Sequence, residues 1–307
     1  MTHISFMAVY YTEMASDNGL LVLDKPGGIT SRAALDRAAH WFPRGTKLGH
    51  AGTLDPLATG VLVLCVGSAT RLVEYVQDMN KTYHSDFFLG ATSDTDDADG
   101  RIAPTESPPL PDRDAIVQAL GQFTGTIQQR PPAYSAARVG GRRAHELARK
   151  GREVSLRPRS VHVYRIELLG YSYPILTVEV QCGKGTYIRS LARDLGAVLR
   201  CGALVQVLRR TQIGPFRADA AVHLDTDPPT ARACLQPLTT AVAELRQLTF
   251  TSDEIRRLRL GQALPWQHHE TQQMEKAAVL SETSELIAIV QADPVSKLWR
   301  PEKVFVA

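Results

Sequence analysis

The apolar runs of this chain are short, and that limits the fold more than any other feature. LLVLD at 20–24 and VLVLCV at 61–66 have almost no polar interruption, yet each ends after about one strand's length. Runs of this kind make strands buried on both faces, and none is long enough to span a bilayer. ILTVEVQC at 175–182 behaves differently. It places a hydrophobic residue at every second position from Leu176 to Cys182, the pattern of a strand with one covered face. Residues 82–89, the stretch through Val161, Val163, Ile166 and Leu168, and VQVLRRTQIG at 205–214 read as further strands. Helical spacing occurs between them. Thr30 or Ser31 is expected to cap a helix through Phe42, with Leu35, Ala38 and Trp41 on one face. Helices are also predicted over 69–78, 112–120 and, after the Lys184-Gly185 turn, Tyr187 to Leu199. Regular strand–helix alternation is missing. The expected class is therefore α+β, with a mixed, mostly antiparallel sheet and flanking helices, and not a doubly wound fold.

Size and composition set the organisation. At 307 residues there is room for one large domain or two smaller ones. The chain is 44% hydrophobic and 22% charged, which permits a packed core without disulfides or a structural metal. Four cysteines lie at 65, 182, 201 and 234, with no C-x-x-C pair. That spacing argues against a zinc ribbon or disulfide framework and for a reduced, cytoplasmic setting. Residues 1–18 lack the basic start and apolar stretch of a secretory signal. They are expected to be a poorly ordered extension, and Met7 and Met14 offer alternative starts. A linker is expected near 224–245, around Asp227-Pro228-Pro229 and Pro237. This divides the chain into a domain over 19–235 and a small β-rich one over 246–307, with strands near AAVL, LIAIVQ and KVFV.

The net charge is only +3, but the charges are segregated. Residues 130–165 hold ten Arg or Lys against Glu146 and Glu153 alone. Such a block is either a phosphate-binding footprint or a solvated face. Residues 94–114 run the other way, with seven acids and two arginines. Within them, Asp94, Asp96, Asp97, Asp99 and Gly100 resemble a calcium loop at first sight. An EF-hand loop needs an oxygen ligand at its fifth position and glutamate at its twelfth, where Ala98 and Thr105 stand. A turn with capping aspartates is expected, and no metal. His268-His269 lie in a polar stretch without cysteine neighbours and read as a solvated loop.

KLGHAGTLDPLATG, 47–60, is dense in glycine and turn formers and is expected to be a loop. Asp55 stands in it between Leu54 and Pro56. Glycines permit close approach of a substrate, and proline stiffens the path. On local grounds Asp55 is either a turn cap or a catalytic carboxylate.

Four blocks bear on that choice: GLLVLDKPGGITS, KLGHAGTLDPLATGVL, NKTYHSDFFLG and CGKGTYIRSLARDLG. In this order and spacing they resemble the motifs of TruB-family tRNA pseudouridine-55 synthases, over about 19–215. The resemblance implies an enzyme that isomerises a uridine of the tRNA TΨC loop without a cofactor, as a monomer needing no protein partner and no membrane. It implies Asp55 as nucleophile, Arg189 as the cation that pairs with it and lowers its pKa, and Tyr83 as the aromatic on the flipped base. His50 would fill the gap that base leaves. Tyr187 and Leu208 would line the pocket, and Lys25 and Pro26 would support its floor. Read without the family, Arg189 is a helix-surface arginine, and Tyr83, Tyr187 and Leu208 are core residues. The basic block matches a thumb-like insertion over about 130–160, expected to move in the absence of RNA. Within it Arg142, Arg143, Arg149 and Lys150 are candidate phosphate ligands. LRLGQALPW and LWRPEKVFV resemble, more weakly, a PUA-like C-terminal domain. Two alternatives are a synthase for another RNA position, or one guided by RNA, and a non-catalytic RNA-binding or tRNA-folding module. The absence of long basic tails argues against guide dependence.

Overall fold

The computed structural model describes residues 17–135, 138–139, 142–144, 156–266 and 274–305, with backbone only for Arg138, Val139, Arg142 and Arg143. The expectations for residues 1–16, for Arg149 and Lys150, and for His268-His269 lie outside the described residues. Ordered contacts begin slightly earlier than expected, because the Asn18 side chain accepts from the Ser68 backbone N–H at 2.7 Å.

The chain opens with β1 (Gly19–Lys25), α1 (Ser31–Ala38), β2 (Leu48–Ala51) and β3 (Thr59–Val66). Thr30 caps α1 by accepting from the Ala33 N–H. A 3-10 segment over Gly67–Leu72 leads to α2 (Val73–Asp78) and β4 (Lys81–Leu89). The hairpin of β5 (Ala91–Ser93) and β6 (Ile102–Pro104) carries the acidic run at its tip. Next come α3 (Arg113–Gly121), β7 (Gly125–Gln129), and a short hairpin of β8 (Arg138–Val139) with β9 (Arg142–Arg143). Then follow β10 (Arg159–Ser172), β11 (Ile175–Cys182), α4 (Ile188–Val198), β12 (Ala203–Ile213) and β13 (Phe216–Arg217). After α5 (Pro228–Ala233) the chain builds β14 (Arg246–Thr249), α6 (Ser252–Arg259), β15 (Leu264–Pro265), β16 (Lys276–Leu280), β17 (Leu286–Asp293) and β18 (Leu298–Val304).

The main sheet runs β1-β3-β12-β4-β11-β10-β7, with β2 added to β3 and β13 to β12. Every pairing is antiparallel except β3 with β12, which is parallel through Arg209 opposite Thr59 and Arg210 opposite Gly60. The second sheet runs β14-β16-β17-β18-β15. This is the mixed, mostly antiparallel α+β architecture expected, with a C-terminal β-rich part.

Burial explains the two strand patterns. Leu21, Leu23, Leu62 and Leu64 face the helices in one core, while Leu20, Val22, Val61 and Val63 face a second core. That second core includes Ala278, Leu286 and Ile289 of the C-terminal sheet and Phe305 just beyond it. β1 and β3 are thus covered on both sides, which is why they read as continuous apolar runs. In β4 only alternate residues, from Lys81 through Tyr83, Ser85 and Phe87 to Leu89, are buried.

Three sequence expectations need correction. The 47–60 segment is not all loop, because Leu48–Ala51 pairs with β3 and Thr59 and Gly60 already belong to β3. Glycine and threonine there conceal a strand whose partner, β3, supplies the apolar face. The helix expected over 69–78 starts as a 3-10 turn and becomes α-helical only at Val73. The stretch expected as a linker is structured. Asp227 and two prolines start α5, and Gln236 exchanges backbone hydrogen bonds with Leu20 of β1 at 2.8 and 2.9 Å.

Candidate active site

The site lies where β3 and β12 run parallel, above the centre of the main sheet. The loop 52–58 passes over this junction and holds Asp55. Leu54 and Ala58 anchor it in the core. Buried Ser31, at the start of α1, grips Leu54 from both sides. Its hydroxyl accepts from the Leu54 N–H at 2.8 Å and donates to the Leu54 carbonyl at 3.0 Å. The Gly28 N–H donates to the Pro56 carbonyl at 2.9 Å. Lys25, fully buried at the end of β1, gives its ammonium to the carbonyls of Pro26 and Ile29, both at 2.8 Å, and of Pro56 at 3.4 Å. Burial lowers the Lys25 pKa to about 8, against the pull of Asp55, which raises it. Pro26 itself is exposed. The stiffness expected of this loop is therefore real, but it comes mostly from residues outside it.

Arg189 reaches Asp55 from the first turn of α4. Its Nε lies 2.9 Å from Asp55 Oδ2 and its Nη1 3.2 Å from Asp97 Oδ2. The Nε–H direction falls outside hydrogen-bond geometry, so the contact with Asp55 is an ion pair without a directed bond. The remaining donors are well aimed, Nη1 at the Thr95 carbonyl at 2.8 Å and Nη2 at the Tyr134 carbonyl at 2.9 Å. The Arg189 side chain is 4% exposed and that of Asp97 6%, while Asp55 keeps 34% open at the mouth. Arg189 is no surface arginine. It is the buried hub of a carboxylate–guanidinium–carboxylate cluster.

The electrostatic outcome for Asp55 differs from the sequence expectation. Burial pushes its carboxyl up, and Arg189 pulls it down without cancelling the rise. Asp97, on the far side of Arg189, adds to the rise because its negative charge disfavours a second one nearby. The one-third of Asp55 still open to water limits the push from burial.

Asp97 was read from the sequence as a turn cap, and that reading is incomplete. Its Oδ1 does accept from the Thr95 hydroxyl at 2.5 Å and the Asp99 N–H at 3.2 Å, but its Oδ2 faces Arg189. Asp96 pairs with Arg193, one helical turn beyond Arg189, at 2.8 Å. The Ala98 N–H and Val205 carbonyl, with the Val205 N–H and Asp96 carbonyl, tie the acidic tip to β12. The acidic run is thus docked on the site by two arginines of α4. Asp94 remains a cap, accepting from the Arg101 N–H at 2.8 Å.

Tyr83, in the centre of β4, is buried with Val180 of β11 and Arg210 of β12 as cross-strand partners. Burial pushes its phenol up, and the positive charge of Arg210 opposes this. Leu208 is buried on β12 and shares this core with Tyr83. Tyr187 caps the start of α4. Its backbone is clamped to the Gln129 side chain by bonds of 2.8 and 3.1 Å, and the Arg159 guanidinium lies 4.9 Å from its ring centroid. His50 sits half-buried on β2, opposite Leu64, with an unpartnered Nδ1, and burial and Arg210 lower its pKa. Asp55, Arg189, Tyr83 and Lys25 are linked through contacts or charge; His50 joins them only through Arg210, and Leu208 shares a core with Tyr83. For Arg142 and Arg143 only the β8–β9 register is described, Arg142 opposite Val139 and Arg143 opposite Arg138.

Sequence reading missed three participants: Ser31, Asp97 and Arg210. Arg210 is 1% exposed, with Nε donating to the Val61 carbonyl at 2.8 Å and Nη2 to the Gly52 carbonyl at 2.9 Å. The signal for it was an arginine at a buried position of an otherwise alternating strand. Gly60 lets β12 approach this closely. A Cβ there would lie 2.1 Å from the Arg210 carbonyl oxygen, and its φ of +99° suits glycine. Among the described residues no His, Cys, Asp or Glu cluster has the form of a metal site.

Comparison with known proteins places this geometry. The family model for the N-terminal domain of TruB family pseudouridylate synthases matches residues 41–188. The model for the tRNA pseudouridylate synthase B C-terminal domain matches 189–243. A tRNA pseudouridine synthase B of Dehalococcoides mccartyi is 38% identical over 94% of this chain and 97% of that protein. One of Xanthomonas oryzae is 44% identical over 80% and 82%, and one of Pseudomonas aeruginosa 46% over 69% of each. Among solved structures, a chain in an H/ACA RNP bound to a substrate RNA containing 2'-deoxyuridine superposes with a TM-score of 0.72. It is 25% identical, over 95% of this chain and 86% of that one. A chain of a Cbf5-Nop10-Gar1 complex gives 0.72 and 26%, over 94% and 85%. The chain belongs to the TruB family of pseudouridylate synthases.

Proposed function

We propose that this chain converts uridine 55 in the TΨC loop of tRNA to pseudouridine, with Asp55 as the nucleophile. One observation carries the reading: a carboxylate held at an open mouth, paired with a buried arginine, near a buried tyrosine. Relatives that share most of its length bear the name tRNA pseudouridine synthase B. Isomerisation moves the glycosidic bond from nitrogen to carbon without redox change or group donor, so the residues present suffice. Asp55 either attacks the sugar or base, or removes a ribose proton. Tyr83 stacks on the flipped base and returns part of the lost stacking, roughly 1–3 kcal/mol. Leu208 and Tyr187 line the base pocket, His50 fills the gap in the RNA loop, and Lys25 and Pro26 hold the floor under Asp55. Arg142, Arg143, Arg149 and Lys150 of the basic thumb bind phosphates of the tRNA arm.

The β-rich C-terminal part is taken as PUA-like and the enzyme as a monomer, since the two sheets cover one another's apolar faces within one chain. No described helix is long and apolar enough to cross a membrane. Cys65, Cys182, Cys201 and Cys234 are all free thiols, which suits the reducing cytoplasm where tRNA is modified. A second reading, a synthase directed by guide RNA, draws on the likeness to the Cbf5 complex. The tRNA-type relatives outweigh it at 38–46% identity against 26%.

The test incubates the protein with unmodified tRNA transcript and maps pseudouridine chemically, with Asp55→Asn alongside. Product at position 55 from the wild type alone supports the reading. Product elsewhere favours a synthase for another RNA position, and binding without product favours a non-catalytic module.

A further inference from the structure

Arg210 is the permanent cation of this pocket. It is 1% exposed, and its two described hydrogen bonds go to carbonyls, one on β3 and one at the start of the Asp55 loop. Among the described residues it makes no ion pair with a carboxylate, although Arg189, on the other side of the site, has two. Nearby cations answer burial by becoming neutral more easily. Lys25 and Lys81 are lowered to about 8, and His50 is lowered too, with Arg210 contributing to all three. A guanidinium does not have that escape. A buried charge without a counter-anion is costly unless it serves a nearby group.

The nearby group is Tyr83. Arg210 and Tyr83 are direct cross-strand partners, so their side chains leave the sheet on the same face. The guanidinium carries donors and no acceptor. Toward that positive charge the phenol presents its oxygen, so its proton points away from Arg210. We infer that Arg210 is a positioning residue that acts through Tyr83, orienting the phenol so that its hydroxyl proton turns away from Arg210 and into the pocket. This rests on the pseudouridine synthase reading. The charged and titratable groups around the phenol are Arg210 from β12, Cys182 from β11 and Asp55 from the loop. Of these only Arg210 is positive, and it alone favours the phenolate.

The test uses full-length protein labelled with carbon-13 at tyrosine Cζ, in wild type, Arg210→Gln and Arg210→Lys. The Tyr83 resonance is identified by its loss in Tyr83→Phe and titrated without RNA. Removing an adjacent opposite charge moves a pKa by about one unit or more, so Arg210→Gln is expected to shift the Tyr83 titration up by that amount. Its single-turnover rate on saturating tRNA transcript should fall by at least about tenfold, with the tRNA Kd within about twofold of wild type. Arg210→Lys keeps the charge and loses the fork, and is expected midway in both readouts. An Arg210→Gln variant whose Tyr83 titrates with the wild type overturns the inference. If Arg210→Gln does not fold, an Arg210→Lys variant matching wild type in titration and rate overturns it instead. The titration needs no substrate. A wild type that makes no pseudouridine therefore sinks the enzymatic reading, separately from the coupling of Arg210 to Tyr83.

Discussion

Arg189→Met tests the cluster at the centre of the site. The substitution keeps most of the side-chain volume and removes the one cation that Asp55 and Asp97 share. It also strips the carbonyls of Thr95 and Tyr134 of their donors. Removing one partner of a buried ion pair typically costs about 3–5 kcal/mol, because the remaining charge stays buried and unpaired. The loss here should reach the upper part of that range at pH 7, since a second carboxylate and two carbonyls lose the same partner. Asp55 moderates it, being one-third exposed and able to draw on water. About 4 kcal/mol is the expected loss, a large fraction of the stability of an ordinary domain.

The loss should also depend on pH, with a definite sign. Burial already raises the Asp55 carboxyl, and Arg189 is the strongest influence holding it down. In Arg189→Met that restraint is gone, so the folded state takes up a proton at higher pH than the unfolded chain. A group raised on folding contributes stability at low pH and loses it as pH rises. The gap between wild type and variant should therefore narrow from pH 7 to pH 5. Urea unfolding at both pH values measures it. A loss under about 1 kcal/mol at pH 7, or a gap that stays constant with pH, would refute the claim that Arg189 balances two buried carboxylates.

Three further outcomes follow from the same geometry. Gly60→Ala should destabilise by about 2–4 kcal/mol, combining a left-handed φ with overpacking against the Arg210 backbone. Thermal unfolding reads it, and an unchanged midpoint would mean that β12 does not need the close approach. Lys25 and Lys81 are both lowered to about 8 on folding, so the unfolded chain binds more protons between about pH 8 and 10. Unfolding free energy should rise with pH through that window by up to about 1.4 kcal/mol per unit for each lysine, and Lys25→Met should remove about half the slope. Neutralising Arg142, Arg143 and Arg149 to Gln should weaken tRNA binding and flatten its logarithmic salt slope by about 0.7–0.9 for each phosphate no longer neutralised. An unchanged slope in a filter-binding titration would take these arginines out of the phosphate account.

Most of the fold was legible because burial writes itself into local sequence. β1 and β3 are continuous apolar runs since one face meets the helices and the other the second sheet. β11 alternates because one face is open. What stayed hidden depends on partners far along the chain. β2 is only four residues, LGHA, too short to show a strand pattern of its own, and it is a strand because it pairs with β3 from Val63 to Val66. The 3-10 start at Gly67–Leu72 keeps the helical spacing that predicted an α-helix, so periodicity could not separate the two. The stretch 224–245 carries linker-like prolines, yet these prolines begin a helix and the chain beyond them pairs with β1.

The site divides along the same physical line. Asp55, Tyr83 and Arg189 stand inside motifs, so the resemblance reached them directly. Asp97 and Arg210 act across long separations, and their local sequence suggests plainer roles. Asp97 sits among other aspartates in a segment that looks like a solvated turn, and its distinguishing property is a guanidinium 92 positions later, at 3.2 Å. Arg210 follows Arg209 in the same strand. Only the pleat decides that Arg209 pairs with Asp24 near the surface while Arg210 goes inward to Tyr83. The charge pattern did hold a trace of this. An acidic run at 94–99 and two arginines of one helix, Arg189 and Arg193, are complementary, and α4 uses both to dock the acidic tip beside Asp55. For the basic block the proposed partner is external, the phosphates of the tRNA arm. For the acidic run the partner is internal, so its loss should first appear as a misplaced nucleophile rather than as weaker RNA binding.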